Sequence, residues 1–150
     1  MKKGLILILI VLSVTSIVAI SYISNRYTVT SEIQKINKEY ELYKDKILLG
    51  TDVTTAINKA LDSNERNEIP KDEKGFYIEN DTNSIKIEII MYNEDEPRVY
   101  QMETIEKVGI TGFINNFNLI DFTCSKIEYH NKTKMVSKIV FEQVENEESL

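Results

Sequence analysis

Residues 5–23, LILILIVLSVTSIVAISYI, form a run of 19 side chains without one charge. As a helix it spans roughly 28 Å, close to the hydrocarbon thickness of a bilayer. Its polar members, Ser13, Thr15, Ser16 and Ser21, can return their hydroxyls to helix carbonyls. Tyr22 lies at the outer edge, where amphipathic rings prefer the interface. Lys2 and Lys3 precede the run, so the positive-inside rule predicts a cytoplasmic N-terminus and residues 27–150 on the other side. The expectation is a single-pass anchor in the cell membrane, residues 1–26, contacting lipid through residues 5–23. A cleaved signal peptide is the competing reading, with Ala19-Ile20-Ser21 as its best small-x-small site. No Cys follows the run directly, so a lipoprotein is excluded.

Residues 27–48 predict an amphipathic stalk helix. Val29, Ile33, Ile36, Tyr40, Tyr43 and Ile47 recur at alternating spacings of four and three, one stripe of a helix and close to a heptad seam. Asn37, Lys38, Glu39 and Glu41 fall between them on a face expected to be solvated. The stripe predicts a helix laid on a core, with partner binding or self-assembly through those six residues as the sharper alternative. Ser31 with Gln34 matches a capping box, so a new helix can start there. Nothing forces a break, and the anchor helix can equally run on to about Leu48. Leu49-Gly50 is expected to end it, Gly50 taking the left-handed C′ position. Thr51 or Asp52 would cap a second helix with an apolar face of Val53, Ala56, Ile57, Ala60 and Leu61. Residues 62–75 read as a polar connection punctuated by Pro70 and Gly75.

Strand signals follow. Phe76-Tyr77-Ile78 is a short candidate. Ile85, Ile87 and Ile89 alternate with Lys86 and Glu88, the clearest half-buried strand in the chain. Val99 to Met102 is a further candidate after a turn at Asn93-Glu94-Asp95-Glu96-Pro97. Residues 103–117 read as a helix shortened or broken by Gly109 and Gly112, with Met102, Ile105 and Val108 on one face. Residues 120–129 and 135–144 predict a hairpin joined through His130 to Lys134. Runs of strands and runs of helices, rather than strict alternation, predict an α+β fold for residues 49–150: the amphipathic helix packed on an antiparallel sheet.

Composition narrows the chemistry. One His and one Cys in 150 residues leave no two-histidine or four-cysteine metal site and no internal disulfide. Five scattered glycines build no phosphate loop. Residues 27–150 hold 15 basic and 24 acidic side chains, a net −9 that disfavours nucleic acid and anionic lipid surfaces. His130 is expected in a surface turn and Cys124 as an inert, buried thiol. Asn93-Glu94-Asp95-Glu96 is acidic but lacks the spacing of a calcium loop. Asp81-Thr82-Asn83 reads as a turn, and Glu142, Glu145, Glu147 and Glu148 as a solvated tail. Asn80-Asp81-Thr82 and Asn131-Lys132-Thr133 are formal glycosylation sequons, but heavy use of Ile, Asn and Lys fits an AT-rich bacterial genome. No catalytic, cofactor or metal residue is predicted, and the chain is expected not to be an enzyme.

A short basic leader ending in Gly4, an apolar helix, an amphipathic continuation and then a sheet together resemble the type IV pilin and pseudopilin plan of Gram-positive bacteria. Where that family carries Glu five residues after the cleaved Gly, this chain has Leu9, and Leu5 stands where Phe is usual. The segment Leu49-Gly50-Thr51-Asp52-Val53 is also similar to small anchored proteins of Firmicutes. The resemblance implies a pilin-like or minor-pilin structural subunit, processed after Gly4 and assembled through its apolar helix. The alternative needs only the anchor and the domain: a single-span accessory protein whose ectodomain recognises a partner.

Overall fold

The computed structural model describes residues 2–93 and 96–144. The chain divides into two compact units, residues 1–35 and residues 36–150.

From Lys2 on, the first unit is helical and belongs to α1 (Lys2–Glu41). Its apolar side chains are uncovered: Ile8 is 58% exposed and Ile17 63%. Among the described residues this is the one helix long and apolar enough to cross a membrane, with a mean hydropathy of 2.0 and none of that window buried. Ser13, Thr15 and Ser16 donate their hydroxyls to the carbonyls of Ile10 and Leu12, as anticipated, so these three hydroxyls are satisfied within the helix.

The second unit is α+β, as expected. It contains the end of α1, β1 (Leu48–Leu49), α2 (Gly50–Arg66), β2 (Lys86–Asn93), β3 (Glu96–Gln101), α3 (Met102–Val108), α4 (Ile110–Phe117), β4 (Asp121–Tyr129) and β5 (Val136–Gln143). The strand order is β1-β4-β5-β2-β3. The sheet is mixed rather than wholly antiparallel. The β2–β3 and β4–β5 hairpins are antiparallel, but they meet through β2 and β5 in parallel, Ile87 opposite Ile139 and Ile89 opposite Phe141. The α3–α4 segment joins the hairpins and makes that geometry available, since a parallel neighbour needs a long crossover. Pro97 sits in β3, an edge strand, where its missing N–H breaks no ladder.

One face of the sheet carries Ile87, Ile89, Phe122, Ile139 and Phe141, all fully buried. The α2 side chains Val53, Ala56, Ile57, Ala60 and Leu61 are buried too, as their spacing predicts. A register shift between Cys124 and Lys126 lets Cys124 face Phe141 while Ile127 still faces Ile139. On the other face Lys86, Glu88 and Lys138 form an ion-pair chain, with Glu88 3.5 Å from Lys86 and 2.8 Å from Lys138. Asn64 is fully buried and completes the start of β2: its amide donates to the Ile85 carbonyl at 2.8 Å and its oxygen accepts the Ile85 N–H at 2.8 Å.

Several boundaries differ from expectation. The helix predicted to reach Leu48 ends at Glu41. Tyr43 and Lys44 donate their N–H groups three residues back to Tyr40 and Glu41, and Asp45 takes a positive φ of 55°. This reversal lets Leu48, 1% exposed, enter the core, and β1 pairs with Phe122 and Asp121. Gly50 therefore does not end α1; it opens α2, where a Cβ would lie 2.1 Å from the Phe117 carbonyl oxygen. Asp52 accepts the Leu49 N–H at 3.0 Å, so it seals the helix start from inside the first turn rather than from the cap position. Residues 76–78 form no strand beyond a single Lys71–Tyr77 bridge. The break in the 102–117 helix falls at Gly109, whose φ of 101° suits glycine. Val108 ends α3 there and is exposed, while Met102 and Ile105 are buried.

The apolar stripe is correspondingly divided. Tyr40 and Tyr43 are core residues, Tyr43 meeting Phe141 edge-on at 5.7 Å, and neither is available for self-assembly. Ile47 lies outside the helix and is exposed, Ile36 and Ile33 are half-buried and Val29 is exposed. Asn37, expected on a solvated face, instead donates to the Lys134 carbonyl and accepts the Val136 N–H at 2.9 Å, pinning the start of β5.

Candidate functional site

Two clefts flank residues 79–86. The first, about 320 Å³, is walled by Asp72, Phe76, Tyr77, Glu79, Lys86 and Glu103. Residues 70–78 form a tight reversal that shapes it. The Asp72 carboxylate accepts the N–H groups of Lys74 and Phe76 at 2.9 and 2.8 Å, and Gly75 takes φ 81°. Phe76 carries the Lys107 ammonium 4.7 Å above its ring, and Lys107 also donates to the Lys74 carbonyl. Tyr77 carries the Lys71 ammonium at 4.4 Å. Burial raises the Tyr77 phenol above its ordinary range, against the opposing pull of Lys71.

Glu103 and Tyr77 each bring a buried polar atom without a hydrogen-bond partner among the described residues to this wall, Tyr77 its hydroxyl. Glu103 lies in the first turn of α3 and is 3% exposed. One carboxylate oxygen accepts the Tyr77 N–H at 3.1 Å. The other is buried without a hydrogen-bond partner among the described residues. A buried acceptor in that state carries the full cost of its desolvation. Sequence reading missed Glu103 because its burial depends on a loop 26 residues earlier in the chain.

The second cleft, about 360 Å³, lies where the turn at residues 79–84 meets the turn at 130–134. Asn80 organises the first turn by accepting the N–H groups of Thr82, Asn83 and Ser84. Thr133 donates to the Thr82 carbonyl at 2.6 Å, and Lys132 pairs with Asp81 at 2.8 Å. That hydrogen bond from Lys132 holds the Asp81 carboxyl below the usual range. His130 is not a surface residue as expected: it is 7% exposed, with Nε2 2.7 Å from the Ser84 carbonyl. A carbonyl only accepts, so Nε2–H donates. The His130 N–H to Met135 O bond closes the hairpin, with Lys134 at φ 62°, and turns the ring inward. The histidine thus ties two turns together.

Cys124 is half-buried, its thiol pushed up by burial, consistent with an unreactive group. The expected Asp81-Thr82-Asn83 turn is present. Glu94 and Asp95 of the acidic 93–96 segment, and Glu145, Glu147 and Glu148 of the tail, lie outside the described residues. Of the two sequon asparagines, Asn80 is engaged in its own turn and Asn131 is exposed. No family model, curated protein or solved structure matches the chain.

Proposed function

We propose that this is a single-span membrane-anchored protein whose residues 36–150 act outside the cytoplasm as a non-enzymatic recognition domain. One observation carries the reading: the large apolar side chains described between Ile6 and Ile23 are more than half exposed. Each Val, Leu or Ile left in water forgoes about 1.5–3 kcal/mol of burial, so such a helix needs lipid or other apolar surface around it. Lys2 and Lys3 favour a cytoplasmic N-terminus. The non-enzymatic reading is supported by His130 and Cys124, whose contacts are structural rather than those of a base or nucleophile.

A pilin-like subunit is the second reading. It is favoured by the unbroken course of α1 from Lys2 to Glu41, which puts the apolar run and the start of the stripe on one helix.

The test has two parts. External protease on intact spheroplasts should digest residues 36–150 while a cytosolic marker survives; protection of that domain sinks the proposed topology. Intact mass of the membrane-fraction protein then separates the readings. A chain beginning at Met1 supports the anchored recognition protein, and one beginning at Leu5 supports the filament subunit. A start near Tyr22 overturns both.

A further inference from the structure

We infer that the cleft beside Glu103 binds an ammonium or guanidinium group, with Glu103 as its counter-ion. A carboxylate offers about four acceptor positions. Glu103 uses one, for the Tyr77 N–H, and its second oxygen is buried with no partner among the described residues. The neighbouring cations are committed elsewhere. Lys86 pairs with Glu79 at 2.9 Å and Glu88 at 3.5 Å, Lys71 with Glu106 at 3.7 Å, and Lys107 with the Lys74 carbonyl and the Phe76 ring. Lys74, also in the wall, is the internal competitor.

An ammonium brings three donors and a guanidinium five, enough to pair with the vacant oxygen while the Tyr77 N–H keeps the other. An anion would instead meet Asp72, Glu79 and Glu103 together. The excess of acidic side chains in residues 27–150, 24 against 15, draws cations toward the domain from a distance. A free small amine and a lysine or arginine side chain of a partner protein share this chemistry. The inference rests on reading residues 36–150 as a recognition domain, and it fails separately: loss of cation binding would leave the protease result on topology unchanged.

The test is an NMR titration of the full-length protein in detergent micelles. The probes are n-butylammonium chloride, its uncharged isostere n-butanol, and the blocked peptide acetyl-Gly-Lys-Gly-amide. The cation is expected to shift the Tyr77 and Glu103 amides saturably and n-butanol to leave them in place. Glu103→Gln keeps an oxygen for the Tyr77 N–H and should weaken the cation about tenfold or more. Tighter binding of the peptide than of n-butylammonium assigns a protein side chain as the source, and the reverse a free amine. Intermolecular NOEs from n-butylammonium to the Phe76 ring test the site without any variant. The inference is overturned by equal shifts with n-butanol, by unchanged affinity in Glu103→Gln, or by absence of those NOEs. Binding that appears only in Lys74→Met also overturns it, because Lys74 would then close the cleft itself.

Discussion

Two isoleucine-rich regions of this chain meet opposite fates. In α1, Ile8, Ile10, Ile17, Ile20 and Ile23 are 54–67% exposed; around β2, Ile85, Ile87 and Ile89 are 0–1% exposed. The residue type is the same, so composition does not account for the difference. Around β2 the isoleucines alternate with Lys86 and Glu88, which puts one apolar face toward α2 and leaves a polar face for water. In the first half of α1 the apolar side chains surround the helix. A helix with no polar face cannot be satisfied by one side of a small core, and its remaining surface calls for an apolar surrounding. Pattern therefore decides whether an apolar segment is covered by its own chain or by something else.

The comparison breaks if apolar truncations in the two regions destabilise alike. Phe141, fully buried against Tyr43, should cost about 3–5 kcal/mol of domain stability on Phe141→Ala. Ile17→Ala should leave that stability unchanged. Urea unfolding of the micelle-solubilised protein, read by tyrosine fluorescence, checks both; a matching loss in Ile17→Ala would tie the two regions into one core.

The glycines sharpen the contrast within the domain. Gly50→Ala drives a methyl into the Phe117 carbonyl and should cost about 1–3 kcal/mol. Gly112→Ala has nothing within 4 Å of the new Cβ and should stabilise α4 by up to about 1 kcal/mol. Thermal unfolding of the two variants should move in opposite directions, and a shared direction would discount the close approach of α2 and α4.

The smallest effect at neutral pH concerns the tyrosines that the stripe lends to the core. Burial, with Tyr43 and Glu39 adding to it, pushes the Tyr40 phenol far above its ordinary range, and burial raises Tyr43 as well. The fold thus favours the neutral phenols. Their contribution is intact below about pH 10, where unfolded tyrosine begins to ionise, and is lost as pH rises beyond it. Tyr40→Phe should leave stability near pH 7 almost unchanged and flatten its decline above about pH 10. An unaltered alkaline limb would show that Tyr40 is not responsible.

Much of the fold was legible because it is local. Alternation located β2, turn residues located the β4–β5 hairpin, and Gly109 located the helix break. The parallel contact of β2 with β5 was not legible, because the pairing of two hairpins leaves no mark in either. Asn64 left a readable signal: it continues the α2 stripe Val53, Ile57, Ala60 with one polar residue on an apolar face. Its role, satisfying the backbone of Ile85, needed the strand 21 residues away. Of the candidate site, the turn residues 80–83 were legible, but His130 and Glu103 were not. Their burial comes from Ser84 and Tyr77, remote segments with no local motif.

The sequence by itself determined that one segment is apolar on all sides, that the remainder is an acidic α+β domain, and where most of its elements lie. Periodicity, charge and turn chemistry act over a few residues, so they are written along the chain. The tertiary structure alone decided that the first helix stops at Glu41, that Tyr40 and Tyr43 serve the core, and that Glu103 is buried with an unused oxygen. Those outcomes follow from which distant surfaces meet, and burial is a property of the meeting rather than of either segment.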